Sequence, residues 1–194
     1  MIIFTDGITV TDIEHKCLLH LVADPEVWVL SAIMEKARLR RDALIKEWRP
    51  RLFADPDVTE LPANAEQLCE LIMARSDYQT RIQQDAAQVP AISPARANVA
   101  IFEATERSGS TVTLFEDGIN LADMDINCIL AYVQDLDDWV MGALLGQINR
   151  GKKKMIAQYQ PIILDDSSVT TMPATEDGLV AMIVARDDYQ RFGG

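Results

Sequence analysis

A chain of 194 residues with 48% apolar and 25% charged side chains has an ordinary globular composition, enough for one domain or two small ones. Its net charge of −12 argues against general binding to nucleic acid or to anionic membranes. No apolar run approaches the ~20 residues that cross a bilayer, and the start, Met1 to Gly7, reads as no signal peptide.

In chain order, Ile2-Ile3-Phe4 and Ile8-Thr9-Val10 flank Asp6-Gly7, which predicts a β-hairpin with a tight turn. Thr11-x-x-Glu14 is a capping box and opens a short helix whose apolar face is Ile13, Cys17 and Leu21. Asp24-Pro25 opens a long helix, an acceptor followed by a residue with no N–H to lose. Its apolar stripe is read as Trp28, Ala32, Ile33, Ala37, Leu44, Trp48 and Leu52, its basic face as Lys36, Arg38, Arg40, Arg41, Lys46 and Arg49. Pro50 is expected to kink or end it. A turn at Asp55-Pro56-Asp57 and the pair Pro62-Ala63 lead into a third helix on Leu68, Leu71 and Ile72. Asp77 is expected to cap a last helical segment from Tyr78. Residues 86–110 form a connector, with an extended tether at Val89–Pro94, a possible strand at Asn98–Glu103 and a turn at Arg107–Ser110.

The rest of the chain then repeats the first part without a gap. At one constant offset Phe4-x-Asp6-Gly7-Ile8 falls on Phe115-x-Asp117-Gly118-Ile119, Asp24 on Asp135, and Trp28-Val29 on Trp139-Val140. Pro50 falls on Pro161, and Asp77-Tyr78-Gln79 on Asp188-Tyr189-Gln190; roughly a third of the paired positions are identical. Positions paired in this way are called counterparts below. Each half alone would bury only a modest core. The fold class is therefore mainly α (α+β): two tandem copies of a hairpin plus a three-to-four-helix unit, related by a pseudo-twofold and sharing a core, with the hairpins joined in a small antiparallel sheet. The boundaries are 1–85, 86–110 for the connector, and 111–194. Gly151 replaces Arg40 and is expected to weaken or bend the second long helix.

Candidate chemistry is sparse. His15 and His20 lie five apart and face Ile126 and Ala131 in the other copy, which suits neither a metal pair nor a shared base. The chain has no Gly-rich phosphate loop and no Cys-x-x-Cys, so no cofactor is expected. Cys17 recurs as Cys128 but Cys69 faces Val180, which reads as buried packing by reduced thiols. The tightest polar cluster is Arg75, Asp77 and Tyr78, repeated as Arg186, Asp188 and Tyr189. It reads first as a helix junction with an Arg–Asp pair, and second as a contact patch, because Arg and Tyr are enriched at binding hot spots. The basic face, here Arg38 and Arg41 with Lys152 and Lys153, reads as a solvated surface or as a dock for an acidic partner.

The series Trp28-Val29, Glu47-Trp48-x-Pro50-x-Leu52-x-x-Asp55-Pro56-x-Val58, Pro62-Ala63 and Ala74-Arg75-x-Asp77-Tyr78 resembles short acidic reading frames among the structural and tail genes of marine tailed phages. The likeness spans both copies but not the connector, and Asp166-Ser167 and Tyr159 depart from it. These motifs are packing and capping signals, so the resemblance carries no chemistry. The leading expectation is a non-enzymatic protein–protein interaction or assembly module, virion-associated or in the host cytoplasm, which binds a protein partner or itself. The competing expectation is a small-molecule or enzyme site in the groove between copies, built from Arg75, Tyr78, Arg186 and Tyr189. A third, nucleic-acid binding through the long helix, predicts affinity that fades steeply with salt.

Overall fold

A computed structural model describes residues 2–88 and 110–191. The tether at Val89–Pro94, the strand at Asn98–Glu103 and all but Ser110 of the turn at 107–110 lie outside the described residues, as does everything beyond Arg191. The fold is mainly helical, with two small antiparallel sheets. Its elements in order are β1 (Ile2–Ile3), β2 (Ile8–Thr11), α1 (Asp12–Leu19), α2 (Pro25–Ala54), α3 (Ala65–Met73) and α4 (Arg81–Gln88), then β3 (Thr111–Leu114), β4 (Ile119–Asn120), α5 (Asp123–Leu130), α6 (Leu136–Asp165) and α7 (Glu176–Val184). The bounds of α1, α2 and α3 are counterparts of those of α5, α6 and α7 at both ends.

Local sequence explains the helix starts. Thr11 and Glu14 cap one another reciprocally at α1. The Asp24 carboxylate accepts from the N–H groups of Glu26 and Val27, and Asp135 does the same for Asp137 and Asp138. Asn64 and Thr175 cap α3 and α7. One expected cap is displaced. Asp77 does not start a helix at Tyr78; α4 begins at Arg81, where the Thr80 N–H donates to the Gln83 side chain and the Gln83 N–H to the Thr80 hydroxyl. Asp77 is held by Arg75 instead, and a capping box outcompetes a carboxylate already engaged.

Three more expectations are corrected. The strands do not form hairpins within each half. β1 pairs with β4 (Ile2 with Asn120, Ile3 with Ile119), and β2 pairs with β3, from Ile8 with Leu114 to Thr11 with Thr111. The Phe4–Gly7 turn passes the chain from one sheet to the other, with positive φ at Phe4 and Gly7 rather than at the Asp6-Gly7 pair; Phe115 and Gly118 match. A Cβ on Gly7 would lie 2.6 Å from Thr113 and 2.8 Å from the Leu114 carbonyl, so this turn requires glycine on two counts. Neither proline ends its helix: α2 continues past Pro50 to Ala54, and α6 past Pro161 to Asp165. The buried stripe of α2 is Val29, Ile33, Ala37, Leu44, Trp48 and Leu52. Trp28 and Trp139 are only half-buried, because one residue back along a helix is about 100° round it.

By internal contacts the chain divides into two compact units. The first is drawn from Met1–Ile3, Leu30–Thr105 and Ile119–Trp139, the second from Phe4–Val29, Glu106–Gly118 and Val140–Gly194. The divisions fall inside both long helices, and each unit combines segments from both halves of the sequence. In the first, Leu44, Trp48 and Leu52 of α2 and Leu68, Cys69 and Ile72 of α3 close on Cys128 of α5 and on Ala131. In the second, α1 contacts α7, and all eight counterparts (Met155, Tyr159, Ile163, Leu179, Val180, Ile183, Cys17 and His20) are buried. Each large apolar side chain so enclosed contributes about 1.5–3 kcal/mol.

Candidate functional site

The Arg75 cluster is a clamp between two turns of the first unit. The turn after α2 presents Asp55 and the turn after α3 presents Asp77; the Arg75 guanidinium donates to both, at 2.6 and 2.9 Å. Arg186 repeats this in the second unit, at 3.0 Å to Asp166 and 2.8 Å to Asp188. The guanidiniums hold Asp55, Asp77 and Asp188 below the usual carboxylate range. The Ser168 hydroxyl and N–H, with Arg186, take Asp166 down to about 2. Arg75 and Arg186 thus each pair with two of the chain's own carboxylates.

Tyr78 and Tyr189 have a different setting. Tyr78 packs on Trp48 with ring centroids 6.0 Å apart, and the Arg51 guanidinium lies 4.8 Å from the centre of the Trp48 ring. In the second unit Tyr189 faces Tyr159 at 5.8 Å, and the Tyr159 hydroxyl accepts from the Gln190 N–H. His20 completes that cluster. Burial, with Lys154 nearby, lowers its pKa, so the ring is neutral near pH 7. The Arg75 and Arg186 trios therefore lie in separate compact units, each with its own aromatic neighbours.

The basic residues divide by burial. The Arg41 guanidinium pairs with Asp125 of α5 at 2.5 Å and reaches Glu66 at 3.7 Å, with its side chain 21% exposed. Lys152 pairs with Asp177, the counterpart of Glu66, and its side chain is 16% exposed. These two cations tie helices together within their own units and are not free for docking. Arg38 and Lys153 are exposed, and Arg38 is held by Glu35 and Asp42 on its own helix. The cysteines are all buried and free. The neighbouring Cys128, with burial, pushes the Cys69 thiol up, while Cys69 and Arg41 pull Cys128 down; the Cys128 thiol donates to the Met124 sulfur at 3.9 Å. Among the described residues no group of three or more His, Cys, Asp and Glu could hold a metal ion, and no helix is long and apolar enough to cross a membrane.

The first unit also holds a cavity of about 430 Å³, lined by Trp48, Tyr78, Ala131 and Tyr132, by Glu47 and Arg51 of α2, and by Arg81 and Gln84 of α4. Tyr78 is the one member of the sequence-derived candidate set that reaches it beside Asp77. Trp48, Ala131 and Tyr132 were missed. The signal for them was a size mismatch: Ala131 is the counterpart of His20, so an imidazole in one half has no equivalent in the other. No protein-family model, no curated protein and no solved structure matches the chain.

Proposed function

We propose that the protein is a non-enzymatic interaction or assembly module that presents two like surfaces, one near the end of each long helix. The observation that carries this is Phe53, which is 71% exposed in the last turn of α2, and its counterpart Leu164, which is 66% exposed in α6. Isolated exposed apolar side chains are common on any protein. Here the exposure recurs at counterpart positions, each three residues beyond a proline. Phe53 also lines a surface groove with Asp42, Ile45, Lys46, Arg49 and Pro50. An exposed aromatic ring at the edge of an apolar groove is the arrangement from which binding hot spots are built. We read the sequence recurrence as a tandem duplication that joins two binding faces in one chain, so that the second contact gains from the first. The resemblance to reading frames near phage structural and tail genes adds a virion or host-cytoplasmic setting to this reading.

The test compares wild type with the double variant F53D/L164D. Both positions are exposed, so the double change should cost no more than about 1 kcal/mol of stability. Wild type should sediment as an oligomer, or retain a defined partner on co-purification from native or infected cells, and the double variant should do neither. Equal behaviour of the two proteins in both measurements would refute the proposal.

A further inference from the structure

Trp48 and Tyr78 in the first unit are counterparts of Tyr159 and Tyr189 in the second, but what stands beside them differs. In the second unit the His20 imidazole lies 6.1 Å from the Tyr189 ring, nearly parallel at 24°, and 6.4 Å from Tyr159, edge-on at 63°. It is 5% exposed, and neither ring nitrogen has a hydrogen-bond partner, although the Gln158 side chain and Gln190 backbone stand close by. In the first unit Ala131 occupies the place of His20, and the space beside it is the cavity of about 430 Å³. That size falls within the ~300–1,000 Å³ typical of small-molecule sites. The residues near the His20 nitrogens also have counterparts at the cavity: Glu47 for Gln158 and Gln79 for Gln190.

We propose that this cavity binds a small planar nitrogen heterocycle, whose ring takes beside Trp48 and Tyr78 the place that the His20 imidazole fills beside Tyr159 and Tyr189. The chain itself supplies the template for the ligand. Two aromatic faces favour a flat π-system over an aliphatic group of the same volume. The Glu47 carboxylate at the cavity is an acceptor only, so a ring that presents a donor N–H is selected over one without a donor. This site is separate from the Phe53 surface, and its failure would leave the interaction proposal standing.

The experiment is thermal melting and isothermal titration of the full chain with imidazole, histamine and adenine, and with toluene as an aromatic control lacking any hydrogen-bonding group. At least one heterocycle should bind saturably at one site per chain and raise the melting temperature, with toluene at least tenfold weaker. A131H, which supplies the ring covalently, and A131L, which fills the space without a nitrogen, should each abolish the effect. H20A should gain a second site of the same preference. If A131H does not fold, A131L decides. No saturable binding by any of the three heterocycles, binding retained in A131L, or toluene binding as tightly would each overturn the proposal.

Discussion

Arg38 and Arg41 lie one turn apart on α2 and look alike in the sequence, yet they have different roles. Arg38 pairs with Glu35 and Asp42 in water, with more than half of its side chain exposed. Such pairs stabilise by no more than about 1 kcal/mol. Arg41 faces Asp125, whose side chain is 9% exposed, so removing the arginine strands a buried carboxylate. Arg41→Met should therefore cost about 3–5 kcal/mol in chemical denaturation, against about 0.5 kcal/mol for Arg38→Met. Arg41→Met/Asp125→Leu should recover most of the loss, since a well-packed apolar pair can replace a buried ion pair. A single Arg41→Met cost no larger than that of Arg38→Met would show that the Asp125 pair adds no stability. Sequence could not separate the two arginines, because the partner that distinguishes them is 84 positions away. The Arg75 and Asp77 pair was legible because donor and acceptor lie two residues apart.

At the scale of the element, Gly151 shows how a propensity argument reverses once a neighbour is known. Taken alone, glycine inside α6 weakens the helix, and Gly→Ala should stabilise it by about 1 kcal/mol. In the fold Gly151 is buried, and a Cβ built on it would run into the Cys17 carbonyl of α1. That oxygen belongs to helix backbone and cannot swing aside as a flexible side chain would. Gly151→Ala should therefore destabilise, by the roughly 1–3 kcal/mol of an overpacked contact, with a lowered denaturation midpoint as the readout. A raised midpoint would mean that α1 can retreat at no cost. The same contrast runs through the other elements. Caps at Thr11, Asp24 and Asp135 were readable because donor and acceptor lie within three residues of each other. Strand pairing was not, because Asp6-Gly7 carries the same turn signal whether the flanking strands pair with each other or, as here, with strands from the other half.

At the scale of the molecule, that ambiguity is general to any chain whose halves match. An apolar face that fits its own half fits the other half equally well, so periodicity predicts which faces are buried but not by whom. The contacts resolve it: α5 covers the α2 and α3 residues of the first unit, and α1 packs on α7 in the second. A piece cut at the sequence boundary, residues 1–85, would thus lack β4 and α5, and with them the cover for Leu44, Trp48, Leu68 and Ile72. Losing three or four buried apolar side chains at about 1.5–3 kcal/mol each approaches the whole ~5–15 kcal/mol that holds a domain folded. Its own α1 carries the counterpart face, with Cys17 in the role of Cys128, but within the full chain that helix serves the second unit. Two copies of the piece can satisfy one another by exchange, each α1 closing on the α2 and α3 of its partner. Residues 1–85 should accordingly show no cooperative melting when dilute and form a folded dimer when concentrated, by sedimentation and circular dichroism. In that dimer Cys17 of one chain would stand beside Cys69 of the other, as Cys128 does in the intact protein. Diamide, a thiol oxidant, should then give a reducible covalent dimer, and Cys69→Val should prevent it. A folded monomer of residues 1–85 would show that α1 can close on its own half, and would remove exchange between the halves as the reason the two are joined.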